Sequence, residues 1–106
     1  MPADEVSLSH RDVFPPPTPA RVDVLPEGNL VRVLWDPVAA PDLAGYLVFR
    51  AEGDAAVVPL TPGPIADTFF TDESARPRVR YRYAVVAVDA AGNRSPPSPE
   101  AVAEPF

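Results

Sequence analysis

The prolines constrain this chain most. There are 16 of them in 106 residues, about three times average usage. Proline removes a backbone N–H and clashes with the preceding helical turn, so it breaks helix interiors. It is tolerated in turns, at strand starts and on edge strands, where no ladder N–H is missed. Between the prolines, apolar residues recur at every second position. Turn signals interrupt them about every 8–12 residues, the rhythm of an all-β sandwich. No window reads as a helix.

The alternation places the strands. Residues 21–25 (RVDVL) stop at the turn PEGN. Residues 30–35 (LVRVLW) put Val31, Val33 and Trp35 on one parity; β-branched and aromatic, this set is the predicted core face. Strands follow at 46–50, 57–60 and 68–72, with Pro59 marking an edge. The longest, 79–89, lies within YRYAVVAVDAAGNRS, and Gly92-Asn93 turns it into a proline-rich edge strand. Seven strands in about 90 residues predict one all-β, two-sheet Greek-key, immunoglobulin-like sandwich over 16–104. Residues 1–15 are expected to be a tail or linker, and 105–106 the C-terminal end. The prolines of PPPTP (15–19) favour a stiff polyproline II connector.

Composition excludes several classes. At 46% hydrophobic the chain can bury a core, and its net charge of -6 lacks a basic footprint for nucleic acid. No apolar run approaches the roughly 20 residues of a membrane span. All nine cations are Arg, and Cys is absent. Disulfides, thiolate catalysis and cysteine metal sites are therefore excluded. The opening MPADEVSLSH has no apolar core of a secretory signal.

The residues for chemistry are equally sparse. A hydrolytic triad needs a nucleophile, a base and an orienting acid. The one histidine, His10, lies in the tail, and there is no Gly-x-Ser-x-Gly. Ser95 and Ser98 fall on a turn and an edge strand, where serine is ordinary. Asp4/Glu5, Glu52/Asp54 and Asp72/Glu73 lack the dense oxygen loop that Ca²⁺ wants. Glu52-Gly53-Asp54 reads as a tight turn, and Asp72 as a strand-end hydrogen-bonder. Arg76, Arg78, Arg80 and Arg82 alternate along one face, either a solvated strand surface or a site for an acidic partner. No catalytic, metal or cofactor-binding residue is predicted.

Four motifs in order resemble the fibronectin type III family as it occurs in bacterial secreted and surface proteins. They are VRVLWDP, PDLAGYLVFR, TFFTDE and YRYAVVAVDAAGNRSPPS, and the resemblance covers about 85% of the chain. It implies a core of Trp35, Tyr46, Val48, Phe70, Tyr81, Tyr83 and Val85. It also implies that Tyr81 is a tyrosine-corner residue, its hydroxyl bonded to backbone near SARP. The family's Pro-Gly at that corner is Pro77-Arg78 here, and its Arg-Gly-Asp tripeptide is absent. DEVSLSHRDVFPPPTP is similar to the last strand of one module and a linker into the next, as in a tandem array.

Parity then gives an outer face. With Tyr46, Val48, Tyr81, Tyr83 and Val85 inward, Leu47, Phe49, Ala84, Val86 and Val88 share the outside, with Arg80 and Arg82 at one end. This reads as an exposed apolar patch that contacts a protein: a neighbouring module, another copy or the tail. The expected function is a non-catalytic spacer or protein-binding module of a bacterial extracellular or cell-surface protein. One alternative is a subunit of a filament or phage assembly, joined through its N-terminal strand. Another is an accessory module of a carbohydrate-active enzyme.

Overall fold

A computed structural model describes residues 15–76 and 78–104. The readings of 1–14 as a tail strand, of Pro77 and of 105–106 fall outside the described residues. Among the described residues seven strands form in chain order: β1 (Val22–Glu27), β2 (Leu30–Trp35), β3 (Leu43–Glu52), β4 (Val58–Pro59), β5 (Phe69–Asp72), β6 (Tyr81–Asp89) and β7 (Ala101–Ala103). One antiparallel sheet runs β1-β2-β5 and the other β4-β3-β6-β7. The fold is an all-β, immunoglobulin-like two-sheet sandwich.

Alternation on both sheets meets in one interior. Val31, Val33 and Trp35 of β2 face Tyr46 and Val48 of β3 and Tyr81, Tyr83, Val85 and Ala87 of β6. All nine are buried, while Phe70 is half-buried against them. Trp35 and Tyr46 pack edge to face, ring centres 5.5 Å apart. The Tyr46 hydroxyl reaches across to accept the Val38 N–H at 2.8 Å, so the same ring fills the core and ties down a loop.

Several boundaries differ from the sequence reading, each for a local reason. β3 is ten residues long, and its early part carries a register shift between Leu43 and Gly45. There the loop backbone comes close. Tyr46 and Ile65 exchange both N–H···O bonds at 2.9 Å, and a side chain at Gly45 would sit 2.6 Å from the Ile65 carbonyl. Only glycine admits that contact. β4 shrinks to two residues: Leu60 still donates its N–H to the Val48 carbonyl at 2.8 Å, but the Val48 N–H turns to Thr61 Oγ1 at 3.3 Å, so the ladder ends there.

The largest difference follows β6. A turn at 90–93 is bridged by Val88 and Arg94, but no strand forms over 95–100. Ser95 and Ser98 are buried, whereas Pro96, Pro97, Pro99 and Glu100 are exposed. Burial at every third residue is the period of polyproline II, not of a strand. Each serine replaces a ladder residue. Ser95 donates its N–H to the Ala87 carbonyl and accepts the Ala87 N–H on Oγ, at 2.8 and 2.9 Å. Ser98 does the same with Val85, at 3.0 and 2.9 Å.

Candidate functional site

The inner end of the sandwich holds a group of polar side chains that the sequence reading did not bring together. Arg50 and Tyr83 are cross-strand partners on β3 and β6, and both point toward the other sheet, where Asp72 ends β5. The Arg50 guanidinium bonds Asp72 Oδ2 at 2.8 Å, and the Tyr83 hydroxyl donates to the same oxygen at 2.5 Å. Asp72 Oδ1 accepts the Ser74 N–H and hydroxyl at 3.1 and 2.7 Å. Arg50 also lies over the Tyr81 ring, 4.7 Å from its centre, a cation–π contact.

Electrostatics follow from that geometry. Burial would push the Asp72 carboxyl up, but hydrogen bonds from Tyr83, Ser74 and Arg50 outweigh it and hold the group below its ordinary value. Burial, followed by the bond to Asp72, pushes the Tyr83 phenol well above its ordinary value. Burial lowers Arg50, and Asp72 more than restores it. The carboxylate is thus fully hydrogen-bonded and the guanidinium is paired through Nη1, while the buried Arg50 Nε has no partner among the described residues. Both carboxylate oxygens are already taken up by protein donors, so the cluster joins the two sheets rather than presenting a base to solvent.

The tyrosine corner lies beside this cluster. The Arg76 N–H donates to the Tyr81 hydroxyl at 2.9 Å. Arg78 adopts φ 70° at the position where the family carries glycine. That region disfavours a side chain by about 1–2 kcal/mol. The corner survives its missing glycine by holding an arginine in a strained conformation.

The opposite face of β3 and β6 carries the expected interface residues. Leu47 opposes Val86, and Phe49 opposes Ala84. Leu47, Val86 and Val88 form a second apolar cluster with Phe49 against it. The expectation of an open patch needs correction: Leu47, Ala84, Val86 and Val88 are buried, Val86 being only 5% exposed. The reason is a pair of proline-rich walls. Pro59, Thr61, Pro62 and Pro64 flank Leu47 and Val88, while Pro97 and Ser98 flank Ala84 and Val86. The result is a trough, in which half-buried Phe49 and exposed Arg94 line both halves.

The arginines at its end are largely committed within the chain. Arg82 bonds Glu100 at 2.8 Å and the Gly53 and Ala55 carbonyls at 2.8 and 3.0 Å. Arg80 pairs with Glu104 at 3.6 Å, and Arg76 with Glu52 at 2.9 Å. Large exposed apolar side chains lie on the other sheet, where Leu34 opposes Phe69, the latter 53% exposed, and also at Val57 and Val58 around β4, with Val57 on the trough lining. The same parity argument, applied to 30–35 and 68–72, identifies Leu34 and Phe69.

No protein-family model matches the chain. An amylopullulanase of Thermoanaerobacterium thermosulfurigenes is 27% identical over 100 residues, which are 94% of this chain and 5% of that protein. An Fn3-like protein from Clostridium thermocellum superposes with a TM-score of 0.72 at 26% identity, covering 88% of this chain and 97% of that one. A β-1,2-glucanase from Parabacteroides distasonis reaches 0.74 at 21% identity, covering 86% of this chain and 13% of that one. The chain has a fibronectin type III-like fold. It spans about a twentieth of the curated relative it matches.

Proposed function

We propose that the chain is a non-catalytic spacer and protein-contact module of a larger bacterial extracellular protein, in the manner of an accessory part of a carbohydrate-active enzyme. The observation that carries this reading is the size relation: nearly the whole chain matches a small fraction of an amylopullulanase. The use of the polar groups supports it. Asp72, Tyr83 and Arg50 are consumed in joining the sheets. Trp35, Tyr46, Tyr81 and Tyr83 are all buried, so Phe69 is the one strongly exposed aromatic among the described residues, a single ring rather than a stacking platform for a sugar. The trough rim, Phe49 and Arg94, is the proposed contact for a neighbouring module. Assembly by strand addition is disfavoured on the four-stranded sheet. One of its edges is the two-residue β4, and the other begins with a proline-rich segment.

Sedimentation velocity over a wide concentration range should give one monomeric species. Co-sedimentation with insoluble starch should leave the chain in solution, and starch and pullulan should stay intact. Concentration-dependent polymers would restore the filament-subunit reading. Starch retention or hydrolysis would overturn the spacer. In a tandem chain, Phe49→Lys should loosen docking in solution scattering without changing the melting temperature.

A further inference from the structure

Residues 15–19 repeat the burial pattern of 95–98. Pro16 and Pro19 are buried, Pro15 and Pro17 are exposed, and Thr18 lies between. Pro19 is among the most completely covered side chains of the molecule. A polyproline II helix has three residues per turn and rises about 3.1 Å per residue. Positions 16 and 19 therefore share one face, and that is the face the domain covers. The second occurrence, Ser95 and Ser98, shows what such a segment does here: it lies along the sandwich and is fastened at every third residue.

The position of the segment matters as much as its shape. Val22, which opens β1, pairs with Trp35, which closes β2. Leu43 at the start of β3 pairs with Asp89 at the end of β6, and the Ala90 N–H binds the Asp42 carbonyl at 2.8 Å. These are all at one pole. Residues 15–19 therefore enter the sandwich at that pole, and their length in polyproline II is about 16 Å.

We propose that residues 15–19 are a docked polyproline II strut, anchored by Pro16 and Pro19, which fixes the direction in which the preceding chain meets the module. This deepens the spacer reading and rests on it for its use: a spacer with a fixed entry angle sets orientation as well as distance. Proline also lowers the number of conformations open to the undocked segment, which favours docking.

The absence of cysteine makes the test clean. Spin labels go on Pro15→Cys and Asp54→Cys, both at exposed positions, the second at the opposite pole beyond the end of β3. A control pair, Asp54→Cys with Ala90→Cys, lies wholly on the sandwich. Double electron–electron resonance should give the 15/54 pair a distance distribution as narrow as the control. Adding Pro16→Gly and Pro19→Gly should broaden it about twofold, toward the spread of a flexible linker, with Trp35 fluorescence reporting an intact core. A wild-type distribution already as broad as the glycine variant overturns the strut. If the glycine variant unfolds, the wild-type width against the control decides alone. A broad distribution would leave the non-catalytic module reading standing, whereas polymers or starch binding would remove that reading without touching the strut.

Discussion

The two faces of the β3–β6 ladder are both apolar, yet different means close them. Inside, Val48 and Val85 are covered by a second sheet, and a buried ion pair at one end links the two layers. Outside, Leu47 and Val86 are covered by proline-rich walls that carry little ladder beyond the two-residue β4. A sheet can thus hide apolar residues on its solvent side without recruiting a second domain. The inner closure fixes which strands face each other. The outer closure rests on two loop segments, one of them bonded to β6 through Ser95 and Ser98.

The largest effect should come from breaking the inner tie. Asp72→Ala leaves the buried Tyr83 hydroxyl without its acceptor and Arg50 with only Ser74 and Glu52, and breaking a buried pair typically costs about 3–5 kcal/mol. Chemical denaturation measures it. pH tests the same link. Because Asp72 is held low when folded, its contribution is present above its unfolded value of about 3.9 and fades as pH falls through the lower folded value. Tyr83 runs the other way. Its folded value is raised, so its contribution is full below the unfolded value of about 10 and declines above it, as the unfolded chain ionises first. Tyr83→Phe should remove the Tyr83 part of that alkaline decline.

Adjacent residues give the next contrast. Val85→Ala should cost about 2–3 kcal/mol, since two methyl groups leave a core that cannot collapse. Val86→Ala should cost about 1 kcal/mol, since loop walls can settle inward. Equal losses would erase the distinction between the faces. The smallest effect is a gain. Arg78→Gly relieves the positive φ and should stabilise by about 0.5–1 kcal/mol, after the added freedom of the unfolded glycine is subtracted. A loss there would mean that the Arg78 side chain contributes more than its backbone strain removes.

Much of this was legible in the sequence because alternation is a local signal. Trp35, Tyr46, Tyr81 and Val85 can be assigned to one side of their strands from their neighbours alone, and the corner bond of Tyr81 follows from the family resemblance. Asp72 was legible as a strand-end hydrogen-bonder, but its link to Arg50 escaped because a charged residue at an inward parity makes sense only with a partner across the sandwich. Those two are 22 positions apart, and nothing local joins them. Ser95 and Ser98 escaped for another reason. Ser-Pro-Pro-Ser-Pro has period three, and a reader looking for strands applies period two. The trough was half legible: parity gives its floor, but its walls come from loops whose paths no periodicity records.

The serine-anchored segment has a bearing on resistance to proteolysis. Many proteases hold their substrates as extended strands, recruiting backbone N–H groups into the cleft. Along 95–99, Pro96, Pro97 and Pro99 have no N–H to give, and those of Ser95 and Ser98 are already bonded to β6. At the corner, the bond after Arg76 is followed by Pro77, a poor site for enzymes that cut after arginine. The features that deny a neighbouring chain a ladder here also deny one to a protease.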